Sequence, residues 1–253
     1  MKYILPLLAA VLVLFVACQP PVTPGTPVVL MTVLGSGDTV QLAWTQVTDA
    51  QGYYVYLDGV KTNTATLSYL VTTAAAKIEV SSYNGSEESD KWTKSTKVVT
   101  TSSLTAYGIG DPVNNLNAIG FNTTSGTCLA IDVSSPANWA GIDFVLEDRA
   151  PDPMSFWSPD AYSPVYNAKD NATAPSTTTD YNALTLAPTG GVYNTKTPIS
   201  ANAVYSVWID LTNNGWSTDD HFGKVRIESI STHTVVMIAG YQLIGGLRWL
   251  ISQ

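Results

Sequence analysis

The sequence predicts an all-β protein, with a small N-terminal sandwich followed by a larger β-sandwich of jelly-roll type. Three observations carry this. The 253 residues lean on Thr, Ser, Asn, Gly, Val and Tyr, the residues of strands and tight turns, and 13% are charged, about half the usual share. Apolar and polar residues alternate with a period of two over Thr39–Trp44 and Ala76–Tyr83. Asp58-Gly59 and Asn84-Gly85 punctuate the runs as hairpin turns do. Sparse charge excludes a long solvated helix or coiled coil. Twelve Lys and Arg against 20 Asp and Glu, net −8, argue against a nucleic-acid partner. Two cysteines cannot staple a chain this long, which has room for one or two domains with cores of their own.

Residues 1–17 read as an export signal. Lys2 supplies the positive start, and Ile4 to Val16 is an apolar stretch too short to span a bilayer as a helix, which takes about 20 residues. Leu14-Phe15-Val16-Ala17-Cys18 then resembles the lipobox of bacterial lipoproteins, with small Ala17 before the cut and Phe15 where Leu is usual. The resemblance implies cleavage before Cys18 and a lipid on its sulfur, so that the membrane is a partner through that lipid. The chain would be exported and anchored in the bacterial cell envelope. Gln19 in place of an Asp favours the outer membrane or cell surface. Residues 18–27, Cys18 and the Pro-rich run after it, read as a stiff tether. Cys128, in Gly126-Thr127-Cys128-Leu129-Ala130-Ile131, then has no cysteine to pair with and reads as a small buried hydrophobe.

The first domain is expected over 28–100. Val40, Leu42 and Trp44 share one face of a strand, Gly52–Leu57 is a second, and Lys94 to Val99 supplies the last. Val40-x-Leu42-x-Trp44, Gly52-Tyr53-x-Val55-Tyr56 and Ile78-x-Val80-x-Ser82-x-Asn84-Gly85 together resemble a fibronectin type III domain. That resemblance implies a spacer or protein-binding module. Ala76 stands where the family has its corner Tyr, so one corner hydrogen bond is replaced or absent. The inward phase of Trp44 makes it core, and Tyr54 falls on the solvent side.

Thr101-Ser102-Ser103 reads as a polar joint, and the second domain as 104–253. Strands are expected near Leu116–Phe121, Thr127–Val133, Gly141–Glu147, Tyr181–Leu186, Ala203–Leu211, Lys224–Ser229, Val235–Ile244 and Leu247–Ile251. The interval 150–180 lacks periodicity, which in a compact domain points to function or disorder. Ala203–Leu211, Asn213-Asn214-Gly215 and Phe222–Ile227 are similar in style to late strands of concanavalin-like and laminin-G-like sandwiches, which implies a glycan- or protein-binding module.

No catalytic motif stands out: there is no Gly-x-Ser-x-Gly, no phosphate-binding loop and no His-Glu-x-x-His. His221 and His233 read as turn and loop residues, and two histidines do not make a metal site without carboxylate help. Glu147 and Asp148 point to opposite faces of a strand and cannot act as a facing acid pair, and an ion pair with Arg149 explains them better. No cofactor is expected, although Asp111, Asp170-Asn171 and Asp219-Asp220 could contribute to a structural calcium site.

The functional signal is aromatic. Trp139, Trp157, Tyr162, Tyr166, Tyr181 and Trp216 fall in or beside expected loops, where rings stack on sugars or anchor proteins; otherwise they cap the sandwich ends. The reading is therefore a non-enzymatic surface lipoprotein whose second sandwich binds a glycan or an envelope protein. The alternatives are a carbohydrate-active enzyme, a glycoside hydrolase or lyase with its site in the second domain, and a purely structural envelope protein.

Overall fold

The structure is a computed structural model and describes residues 22–163, 165–166, 169–213 and 215–252. The expected signal and Cys18 lie outside the described residues. Eight strands form a first sandwich: β1 (Val29–Leu34), β2 (Thr39–Trp44), β3 (Gly52–Leu57), β4 (Val60–Thr64), β5 (Ser68–Val71), β6 (Lys77–Asn84), β7 (Glu87–Glu88) and β8 (Trp92–Ser95). β1-β2-β5 make one antiparallel sheet and β4-β3-β6-β7 the other, with β8 also on β6. This is the all-β sandwich that alternation implied. Val40, Leu42 and Trp44 from β2 meet Tyr53 and Val55 from β3 and Ile78 and Val80 from β6, all buried. Tyr54 faces outward and stacks on Tyr83 at 4.3 Å. Just before β6, at Ala76, the carboxylate of Asp58 accepts from the backbone N–H groups of Ala76 (3.1 Å) and Lys77 (2.8 Å).

The described part of the Pro-rich run, residues 22–27, is docked on the first sandwich. Pro24 and Pro27 are buried, Ser82 Oγ donates to the carbonyl of Gly25 (2.6 Å), and Thr23 Oγ1 donates to Glu87 (3.2 Å). Residues 22–27 thus lie along the first sandwich. An extended proline segment loses little entropy on docking, which makes it a cheap cover for the open end of the core.

The second sandwich has β9 (Val99–Tyr107), β10 (Ala118–Phe121), β11 (Cys128–Ile131), β12 (Phe144–Glu147), β13 (Ser155–Trp157), β14 (Ala172–Pro175), β15 (Lys196–Pro198), β16 (Val204–Ile209), β17 (His221–Ile230) and β18 (Thr234–Tyr241). One sheet has the order β14-β16-β17-β18-β9 and the other β11-β10-β12-β13-β15, every pairing antiparallel. Between them Ile119, Phe144, Leu146, Phe156, Val207, Val225, Ile227, Met237 and Tyr241 form the larger core. Cys128 is buried in it, and burial pushes its thiol well above the ordinary range.

Two segments tie the sandwiches together. Thr101–Ser103 is the middle of β9, whose partner is β18, so the expected joint is part of a sheet. The tail after β18 returns to the first sandwich, where Leu247 and Trp249 are fully buried in its core. Trp249 Nε1 donates to the carbonyl of Asp38 (3.0 Å), Arg248 Nε to that of Ser36 (2.5 Å), and Gln242 Nε2 to that of Thr96 (2.8 Å). Gly37, at φ +89°, passes so close to the tail that a Cβ would sit 2.1 Å from the carbonyl oxygen of Gly246. The stretches 181–186 and 247–251, expected as strands, are turns and coil joined by a single bridge between Leu186 and Trp249. Three short strands, β13, β14 and β15, were not visible in the pattern.

Candidate aromatic binding surface

The surface begins with strand phase. Phe144 and Leu146 of β12 and Phe156 of β13 point into the core, which forces Val145 and Trp157 to the outer face. Register then lines up one row across the sheet: Ile131, Ala118, Val145, Trp157 and Lys196, each the cross-strand partner of the next. Ala118 and Val145 are nevertheless fully buried, because two segments cover them. A 3-10 turn over Pro136–Gly141 brings Trp139, and a short helix α1 (Pro159–Tyr162), capped by Ser158, brings Tyr162 and then Tyr166.

The covering rings form a chain. Trp139 meets Tyr166 edge-on at 5.4 Å, Tyr166 stacks on Tyr162 at 5.7 Å and 8°, and Tyr162 meets Trp157 at 5.9 Å and 87°. All four rings are half-buried, with apolar support beneath and solvent above. Trp139 is fixed by its Nε1–H on the carbonyl of Val133 (2.9 Å), whereas Trp157 Nε1 is buried with no hydrogen-bond partner. Such an unmade bond costs about 1–3 kcal/mol, so packing holds Trp157 where it is.

Cations stand at the border, each already neutralised. Lys196 Nζ lies 4.2 Å over the Trp157 ring and 3.0 Å from Asp152. Arg149 forks onto Glu147 (2.6 and 3.0 Å) and donates to the Tyr162 hydroxyl (2.8 Å). Burial works to raise the Glu147 carboxyl, and the hydrogen bonds from Arg149 outweigh it, leaving it below the usual range. Burial pushes the Tyr162 hydroxyl up to about 12, so it stays a protonated donor at neutral pH. Past Trp139 a shallow groove of about 470 Å³ runs along the edge strand β11, lined by Leu129, Ile131, Ala137, Asn138 and Gly141. The whole surface offers ring faces and edges, a few fixed polar groups and little net charge.

Four of the six expected rings come together here; the other two do not. Tyr181 is buried under the opposite sheet, near Thr100 (3.3 Å) and with Lys224 Nζ 4.3 Å from its ring. Trp216 is exposed beside a small apolar recess of about 60 Å³ that also touches Tyr193, Trp208, Phe222 and Arg248, at the junction with Ser36. Lys196 and the reach of Arg149 to Tyr162 were missed, and no sequence signal could have found them, since the first depends on the register of β15 with β13 and the second on where α1 folds.

Asp111 and Asp220, considered for calcium, and the strand carboxylates Asp143 and Glu147 are occupied by the fold. Asp111 accepts from the N–H groups of Val113 and Asn114, and Asp220 from Ser217 and Trp208 Nε1. Asn171 links the Asp143 carboxylate to the backbone of Asp210, and Lys169 pairs with Asp143 at 2.8 Å. Among the described residues no three His, Cys, Asp or Glu groups converge as metal ligands would. His233, read as a loop residue, has its Nδ1 2.5 Å from Asp148, and His221 stacks on Tyr241. No helix among the described residues is long and apolar enough to cross a membrane.

No family model matches the chain, and no curated protein matches it. Among solved structures it is similar in part to a fibronectin type III mutant, "FN3tt mut", at 24% identity and TM-score 0.26, over 28% of this chain and 92% of that one. It is also similar to a DUF4466 family protein from Parabacteroides merdae, at 11% identity and TM-score 0.44, over 88% of this chain and 95% of that one.

Proposed function

We propose that the chain is an exported envelope lipoprotein, anchored through Cys18, whose second sandwich binds a glycan on the surface of Trp139, Tyr166, Tyr162 and Trp157. The observation that carries the reading is the contiguity of these four rings: separated by up to 27 positions in sequence, they meet in one unbroken chain on one half-exposed face. Sugars present apolar C–H faces and ring-edge hydroxyls, which suit aromatic faces bordered by paired polar groups such as Arg149–Glu147 and Lys196–Asp152. A partner protein is the second candidate for the same surface, favoured by the groove beside edge strand β11 and its exposed Leu129. Binding is placed ahead of glycoside hydrolysis because Asp143 and Glu147 are each committed to an ion pair. A glycan array on the whole exported chain, run beside a sugar-release assay, tests this. Retention without release supports it, release would make it an enzyme, and silence in both would leave the protein-partner reading.

A further inference from the structure

The described chain begins at Val22, and that end is fastened to the first sandwich. The carbonyl of Val22 accepts from Asn84 Nδ2 (3.4 Å), Thr23 holds Glu87 and Gly25 holds Ser82. Register shows which end this is. Val29 pairs with Trp44 and Gly52 with Tyr83, so the starts of β1 and β3 and the finish of β6 lie together with the Asn84–Glu87 turn and the 45–51 loop. At the other end lie the β1–β2 turn, the Asp58-Gly59 turn and the start of β6. The hydrogen bonds that grip the second sandwich are there: Arg248 on Ser36, Trp249 on Asp38, and the Val98 N–H on the carbonyl of Ile251 (2.8 Å). Between β8 and β9 stand Thr96, Lys97 and Val98, and Thr96 is fully buried, with its Oγ1 on the carbonyl of Ala75. No slack linker separates the sandwiches.

We propose that the Val22 end of the first sandwich lies against the bilayer and that the second sandwich is held as a fixed extension at the opposite end. This rests on the lipid at Cys18. Residue 18 is four steps from residue 22, and an extended chain advances at most ~3.6 Å per step, so the acylated residue is within ~14 Å of a point fixed on the domain. The first sandwich is therefore a strut standing on the membrane. β6 has eight residues, seven steps of about 3.4 Å, so the far end stands ~24 Å higher. The membrane-facing end carries Asp49 and Glu87 and no Lys or Arg over 45–51 or 84–87, so the lipid, and not charge, supplies the attachment.

The test uses the chain acylated at Cys18, reconstituted in phosphatidylcholine vesicles containing an acceptor-labelled lipid. A donor dye is placed at Ser86→Cys or, separately, at Lys97→Cys; Cys128 is buried and stays unlabelled. Strong energy transfer from position 86 and weak transfer from 97 is the expected result, unchanged when about a third of the lipid is phosphatidylglycerol. Adding Ser82→Ala and Thr23→Ala should shrink the difference. Equal transfer from both positions, in protein whose mass shows the acyl chains, would overturn the strut while leaving the anchor intact. A mass without acyl chains, or vesicle binding that survives Cys18→Ser, would instead overturn the anchor and the proposal with it.

Discussion

Truncating Trp249 to alanine should damage a domain that Trp249 is far from in sequence. Its side chain is fully buried among Leu247, Val40, Leu42 and their neighbours in the core of the first sandwich, and its Nε1–H is held by Asp38. Removing a buried Trp costs about 3–5 kcal/mol in lost burial and residual cavity. A domain stability is about 5–15 kcal/mol, so the loss is roughly a fifth of it or more. The loss should fall on the first sandwich and on its coupling to the second. Urea unfolding followed by calorimetry is the assay: the wild type should unfold in one transition, and Trp249→Ala should shift the first sandwich down and separate two transitions. Trp216→Ala, at an exposed ring 43% accessible, is the control and should stay within about 0.5 kcal/mol. A Trp249→Ala variant that loses less than about 1 kcal/mol and still unfolds in one step would refute the clamp.

Other substitutions probe other parts of the account. Lys224 is fully buried and donates to the carbonyls of Tyr181 and Leu184 and to Ser252, and burial pushes its ammonium from the ordinary 10.5 down to about 8. Between those values the unfolded chain binds more protons than the folded one, so stability rises with pH. The wild type should gain on Lys224→Met by about 2 kcal/mol from pH 7.5 to pH 10, read from paired melting curves. A difference independent of pH would show that the folded ammonium stays protonated as the unfolded one does, and would refute the effect of burial. Gly108→Ala would put a Cβ 2.0 Å from the Asp148 carboxylate, which holds His233 and Gly110 N, and should cost at least about 2 kcal/mol in urea unfolding. Tyr162→Phe removes an acceptor from Arg149, whose guanidinium is exposed enough to take water instead, so its cost in the same assay should be under about 1 kcal/mol.

What the sequence disclosed and what it hid divide along physical lines. The inward phase of Trp44 and the outward phase of Tyr54 follow from period-two alternation, a property of the strand itself. The segment 181–186 imitates that alternation, yet Asp180 caps the N–H of Asn182 and Lys224 takes two of its carbonyls, so it turns instead of pairing. β13 is three residues long and β15 contains a proline, too little for any periodic signal. Trp249 looked like part of a last strand of its own domain, because nothing local reveals that Asp38, 211 positions earlier, accepts its hydrogen bond. The candidate rings were recognisable as residue types in loops, but their grouping depends on the register of Val145 with Trp157 and on the fold of 136–141 and 159–166. Tyr181 and Trp216, the same residue types in similar settings, went elsewhere for want of that register.

The most direct test of the account is a titration of intrinsic tryptophan fluorescence with a glycan retained on the array, in the wild type and in Tyr166→Ala and Trp157→Phe, with melting curves to confirm that both variants fold. Binding at the four rings predicts a saturable change in the wild type and an affinity at least about tenfold weaker in Tyr166→Ala, which removes one stacked ring and about 1.4 kcal/mol or more. An unchanged affinity in both folded variants would contradict it and place the ligand on another surface.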